Sequence, residues 1–294
     1  MGRHFEVRAA AMAKTSAANA KLYSRHSKEI YMAAKAGEPD PSMNQALKKT
    51  IEKAKASLVK KAQENRITID SLKKDYEIAE ITVKQLENQL ASTEAKVLAG
   101  IATYADVIKL KNNIESAKNN LISIKNNENK TRKELLIMTG WRQDASAEIT
   151  DLPLLNIDEI NQLSISNDSI KAIENNYDLK ILKRKLENAN ENKTIGTLEN
   201  EIKTQKETVL TSVNTSFNEL QTKVMSYEYS QNQFNTQKQS HSLNKRKYNL
   251  GLCSLNELKD SEITLKNAEL TLEKTKIELF KAYENYKTIV NGLI

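Results

Sequence analysis

Gly100-Ile101-Ala102-Thr103-Tyr104-Ala105-Asp106-Val107 and Gly251-Leu252-Cys253-Ser254-Leu255-Asn256-Glu257-Leu258 decide how this chain is read. They lie 151 positions apart in a chain of 294 residues. In each, Gly is followed by an aliphatic, a small residue, a hydroxyl residue and, three positions after that, an acidic–aliphatic pair. Gly takes the positive φ that reverses a chain at a helix end at little cost. Thr103 or Ser254 can cap the next helix, and Asp106 or Glu257, three residues on, can complete a capping box. The carboxylate also faces the positive end of the new helix dipole. Each stretch predicts the turn of a helical hairpin, and the chain as a whole a duplicated hairpin.

The flanking sequence agrees. Positions 58, 62, 65, 69, 72, 76, 79, 83, 86, 90, 93 and 97 alternate steps of four and three, and ten of these twelve are apolar or Tyr. That is a coiled-coil seam. Ile67, Ile78 and Ile81 lie off the seam and predict a second neighbour. After Gly100 the seam resumes at Val107, Leu110, Ile114, Ala117, Leu121, Ile124, Leu135 and Met138, until Gly140 closes the helix. A short link between two long amphipathic helices makes an antiparallel pair. Trp141 is expected to cover a helix end, and a short helix is expected after Asn156.

A helix is then expected from Asp168 towards Asn192, interrupted at Gly196. A long helix follows through Val209, Val213, Phe217, Leu220, Val224, Tyr227 and Phe234. Beyond Gly251 the last helix carries Leu258, Leu265, Ala268, Leu272, Leu279, Ala282, Tyr286 and Ile289. The predicted fold class is all-α: long antiparallel coiled-coil helical hairpins in two repeats, with a short N-terminal helical segment. The units are 1–56, a first hairpin 57–148, a connector 149–167 and a second hairpin 168–294.

Composition supports this. Only 7 Gly and 3 Pro are present, aromatics are 5%, and there is one Cys, Cys253. A disulfide scaffold needs paired cysteines, and a sandwich or barrel of this length needs more turn residues. No apolar run approaches the roughly 18 residues of a membrane-spanning helix. The net charge of +7 is uneven: residues 1–56 hold 11 basic and 5 acidic side chains, residues 57–294 hold 34 and 33. Ala and Asn usage changes at the same place, so two kinds of sequence meet near Ser57. No secretory h-region is visible near the start, so a cytoplasmic location is the expectation from the sequence as written.

Residues 8–35 read as a helix. Gly37 is expected to supply a left-handed cap, and Asp40 to cap a second helix with Pro41 at its first position. The strings Met1-Gly2-Arg3, Glu29-Ile30-Tyr31-Met32-Ala33-Ala34-Lys35-Ala36-Gly37-Glu38-Pro39-Asp40-Pro41 and Asn44-Gln45-Ala46-Leu47 closely resemble the N-terminus of the YebC-type regulators. The resemblance implies a nucleic-acid-binding transcriptional or translational regulator. Arg3, Arg8, Lys14, Lys21, Arg25, Lys28 and Lys35 are then the candidate phosphate contacts. The family's usual Trp is Phe5 here, and the basic run expected at 9–15 retains only Lys14. The alternative for these side chains is a solvated basic helix.

The duplicated turn, with Arg246-Lys247-Tyr248-Asn249-Leu250-Gly251-Leu252 in its second copy, resembles the TolC-like outer-membrane efflux proteins over residues 57–294. That resemblance implies a homo-oligomer, a trimer in that family, in the cell envelope. It also implies hairpin tips that meet a periplasmic adaptor protein. The candidate tip residues are Gly100, Ile101, Thr103, Asp106, Gly251, Leu252, Ser254 and Glu257, with Leu255 beside them. No alternating run suitable for a barrel strand is visible between Asp168 and Leu220.

No nucleophile–base pair, phosphate loop or metal-ligand spacing appears, so neither catalysis, cofactor nor metal is expected. His4 and His26 lack ligand partners at suitable spacing. The leading expectation is a TolC-like export component, and the alternative is a YebC-like regulator with a coiled-coil extension. A third reading is a fused reading frame.

Overall fold

The structure is a computed structural model and describes residues 23–142, 149, 150, 152, 153 and 155–293. Helix is the regular structure of these residues, and none of them is in a strand. Residues 23–35 form α1. The others are α2 (Gln45–Leu98), α3 (Tyr104–Met138), α4 (Ile157–Asn161), α5 (Ile165–Asn175), α6 (Tyr177–Glu187), α7 (Asn192–Asn249) and α8 (Leu255–Val290).

The seam builds the hairpins. All twelve seam positions of α2 are buried or half-buried against neighbouring helices. On α3, Val107, Ile114 and Leu136 are buried. α2 pairs with α3 and α7 with α8, while α2 also packs on α8. The order across the layer is therefore α3–α2–α8–α7. Ile67, off the seam of α2, is 4% exposed, which is the second neighbour its position predicted. Ion pairs join the hairpins from Lys74 to Glu273 at 2.7 Å and from Lys274 to Asp75 at 2.6 Å. Being part-exposed, they fix register more than they stabilise.

The main core lies at the end away from the turns. Ile160, Ala172 and Leu179 of the short helices fill the space against Val209, Val213 and Leu220 of α7 and Leu279, Ala282 and Tyr286 of α8. A fully buried aliphatic side chain there contributes about 1.5–3 kcal/mol. Asp168 is buried with this core and accepts a 2.9 Å hydrogen bond from the Tyr286 hydroxyl. Burial first, then the Asp168 bond and charge, push the Tyr286 phenol above its ordinary range.

Several expectations are corrected. No single helix runs from Asp168 towards Asn192: α5 ends at Asn175 and α6 begins at Tyr177. Asn176 is fully buried at ψ 122°. Its Oδ1 accepts from the Leu179 N–H at 2.9 Å, and its Nδ2 donates to the Gly292 carbonyl at 3.3 Å. The chain breaks there because the last turn of the molecule docks on it. Gly196 does not interrupt: it lies within α7, where a Cβ would meet nothing within 4 Å.

Asp40 does not cap α2. Its carboxylate accepts from the Ser42 N–H at 2.8 Å, and Asn44 is the cap instead, accepting from Leu47 at 3.0 Å. Asn44 wins because its amide also donates to Ala33 and Glu38 carbonyls, which ties α2 to the end of α1. Gly37 has no positive φ; a Cβ there would lie 2.8 Å from Asn44 Nδ2, so the Asn44 side chain would have to shift. Trp141 is 59% exposed. The Trp141 N–H closes the α3 terminus by donating to Leu136 at 2.8 Å. The α3 seam also passes through Glu128, buried beside Lys125 at 2.7 Å.

Candidate functional site

The two turns close in the same way. Gly100 has φ 72° and Gly251 φ 70°. The next N–H reaches back five residues: Ile101 donates to Lys96, and Leu252 to Lys247, each at 2.8 Å. This satisfies carbonyls that the ending helix leaves open. In both turns a Cβ on the Gly would meet open space, so Gly is required only by its dihedral.

Both capping boxes are complete. The Asp106 N–H donates to Thr103 Oγ1 at 3.3 Å, and the Thr103 N–H donates to Asp106 Oδ2 at 3.0 Å. The Glu257 N–H donates to Ser254 Oγ at 3.2 Å, and the Ser254 N–H donates to Glu257 Oε2 at 2.7 Å. The Thr103 hydroxyl and then its N–H hold Asp106 below the ordinary carboxylate value. The Ser254 N–H and then its hydroxyl do the same for Glu257.

The polar groups of the turns bond one another, and large apolar side chains stand exposed beside them. Ile101 is 77% exposed and Tyr104 68% in the first tip; Leu252 is 71% and Leu255 47% in the second. The 151-residue offset superposes these as two equivalent pairs. Leu98, Ile108 and Leu250 extend the apolar surface. Ile101, Leu252 and Leu255 are tip residues that the sequence picks out, whereas Tyr104, Leu98, Ile108 and Leu250 are not. The signal available was an apolar residue at a position where the seam has already turned inward. Thr103, Asp106, Ser254 and Glu257 shape the turns, whereas Ile101, Leu252 and Leu255 form their surface. Cys253 is half-buried, and its thiol donates to the Asn244 carbonyl at 3.4 Å.

Of the basic candidates, Arg3, Arg8, Lys14 and Lys21 lie outside the described residues, as does His4. Arg25, Lys28 and Lys35 are exposed on α1. Arg25 pairs with Glu29 at 2.9 Å. Burial pulls the Glu29 carboxyl upward, but Arg25, Lys53 and His26 outweigh it and leave it lowered. His26 is buried, with Nδ1 3.6 Å from Glu29. Among the described residues, no group of three or more His, Cys, Asp or Glu is arranged to hold a metal. No helix among them is long and apolar enough to cross a membrane.

Comparison with known proteins gives two separate likenesses. The model of the TACO1/YebC protein N-terminal domain matches residues 3–68. A relative named "Probable transcriptional regulatory protein" in Acholeplasma laidlawii is 54% identical over 79 residues, 27% of this chain and 30% of its own length. One of the same description in Pseudoalteromonas translucida is 59% identical over 59 residues, 20% of this chain and 24% of its own. The chain thus spans under a third of the length of these relatives.

Among solved structures, CusC, studied for conformational changes accompanying folding and transmembrane channel formation, matches with a TM-score of 0.65. That match is at 11% identity and covers 97% of this chain and 92% of that one. The outer membrane protein VceC of Vibrio cholerae matches at 0.57 and 12% identity, over 84% and 72%. At such identity the likeness is one of fold. The chain therefore resembles YebC-type regulators in its first segment and TolC-like channels in its architecture.

Proposed function

We propose that this chain is a non-enzymatic, TolC-like export component. Copies of it associate side by side into a helical wall, and the two tips dock onto a helical hairpin of an adaptor protein at the cell envelope. The observation that carries the reading is the repeated tip: the same Gly closure and capping box, and an exposed apolar pair at equivalent positions. An apolar pair on a rigid turn fits the groove between two partner helices. Association is supported by the layer order, which leaves α3 and α7 outermost, with Ile108, Ile122, Met225 and Tyr229 exposed on them.

Light scattering on the purified chain and pull-down with the organism's adaptor-like protein test this. An oligomer, and loss of capture when Ile101 and Leu252 are changed to Asp, support it. A monomer at every concentration together with unchanged capture would sink it.

A second reading applies to the N-terminal segment, and the family match over residues 3–68 favours it. In this reading residues 1–56 contact nucleic acid as part of a cytoplasmic regulator, and the hairpins serve for self-association. Binding to nucleic acid should then weaken steeply with salt and vanish when the basic side chains of α1 are neutralised.

A further inference from the structure

The sequence divides charge at residue 57, but the folded chain does not. α2 runs unbroken from Gln45 to Leu98, and its first turns pack against α6 of the second hairpin. Lys53 Nζ lies 2.5 Å from Asp178 Oδ1 at the start of α6. Two residues further along α6, Lys180 acts on Glu52 of α2, together with Lys48. Lys48, Glu52 and Lys55 follow one stripe of α2 at i, i+4 and i+7. Lys183 and Arg184 share the Lys180 face of α6 at i+3 and i+4.

Residues 23–61 hold 9 basic and 4 acidic side chains and α6 holds 4 and 2, a joint net of +7. That equals the net charge of the whole chain. Glu29, Glu52, Asp178 and Glu187 are engaged in ion pairs within this region. Lys28, Lys35, Lys48, Lys55, Lys180 and Lys183 have no ion pair within 4.0 Å among the described residues.

We infer that α6 completes a nucleic-acid backbone surface that begins on α1 and the first turns of α2. The proposal rests on the second reading above and goes beyond it, because α6 belongs to the hairpin body and has no counterpart in the matched segment. Lys48 and Lys55 of α2 and Lys180 and Lys183 of α6, unpaired among the described residues and on adjacent helices, suit a line of phosphates. A stripe from Lys48 to Lys55 spans about 10 Å at 1.5 Å per residue, enough for consecutive phosphates of one strand. The large exposed apolar side chains of this region, Tyr31, Met32, Met43 and Val59, lie on α1, the α1–α2 link and α2, and none is on α6.

The experiment is equilibrium binding of the full chain to a labelled DNA duplex and a single-stranded RNA of arbitrary sequence, across a salt series. Replacing Lys180, Lys183 and Arg184 together by Gln should lower the salt slope by about 2 to 3 and weaken binding about tenfold or more. Replacing Lys180 and Lys183 by Arg should leave both unchanged, which separates charge from folding. Wild-type slope and affinity in the Gln variant, with loss in a Lys28→Gln, Lys35→Gln variant, would overturn the role of α6 and leave the second reading standing. No salt-dependent binding by the wild type overturns both. Binding to anionic phospholipid vesicles but to neither nucleic acid overturns the proposal as well.

Discussion

The docking of the last turn on the α5–α6 break predicts that two glycines of the same φ sign differ sharply in tolerance. Gly100 has φ 72° and open space where a Cβ would stand. Gly100→Ala therefore carries only the dihedral cost, about 1 kcal/mol. Gly292 has φ 96°, and a Cβ there would lie 2.3 Å from the Asn175 carbonyl oxygen and 2.8 Å from Asn176 N. The turn must withdraw. It then loses the bonds that the Gly292 carbonyl accepts from Tyr177 N–H at 3.2 Å and from Asn176 Nδ2 at 3.3 Å. Each bond contributes about 1 kcal/mol, and the buried Asn176 amide left without a partner costs roughly 1–3 more. With the dihedral term, Gly292→Ala should cost about 4 to 6 kcal/mol. Urea unfolding followed by far-UV circular dichroism gives the difference, and amide exchange at Tyr177 localises it. Equal costs for the two variants, within about 0.5 kcal/mol, would refute the docking.

Further outcomes follow from the tips and the core. Thr103→Ala and Ser254→Ala should each cost about 0.5–2 kcal/mol and speed amide exchange at Asp106 or Glu257. Because Asp106 and Glu257 titrate below their ordinary values of 3.8 and 4.5, the cap bonds are complete above pH 4.5. They weaken as pH falls through the lowered folded values. NMR of the Thr103 and Ser254 amides should show this loss, and Asp106→Asn should remove it from the first tip. Tyr286→Phe should cost about 1–3 kcal/mol, since buried Asp168 loses its hydroxyl donor; unchanged thermal unfolding would contradict that. Leu279→Ala, at a side chain 1% exposed, should cost about 2–5 kcal/mol. Leu252→Ala, at one 71% exposed, should leave unfolding nearly unchanged while weakening adaptor capture. One transcript sequenced across the codons for residues 50–60 tests whether the junction is natural: an uninterrupted message places both parts in one expressed chain, and a break there shows that they are separate.

Much of the site was legible before folding because its chemistry is local. A Gly, a hydroxyl residue and a carboxylate three positions on need only each other to build a capped turn, and 151 residues later the same order builds it again. The apolar character of the tip was less legible. Ile101, Leu252 and Leu255 stood out as apolar residues in the turns, but Tyr104 read as a first helical residue, and only the direction of the seam leaves it facing solvent at 68%. The α1–α2 corner misled for a similar reason. Asp40 before Pro41 has the local signature of a cap, but Asn44 can also reach the Ala33 and Glu38 carbonyls, and no local pattern records that reach.

Taken alone, the sequence determined the helices, the two turns and the faces that pair, since periodicity and capping act over a few residues and each hairpin brings together neighbours in the chain. Tertiary structure decided what depends on contacts between distant segments. The break at Asn176 exists because Gly292 arrives there, 116 residues later. The α3–α2–α8–α7 order follows from a second apolar face on α2 that had no assigned partner. The charge boundary at residue 57 dissolves because α6, far along the chain, lies beside the first turns of α2 and merges its cations with theirs. Electrostatic fields add in space, not along the chain, so no count by residue number could have placed that surface.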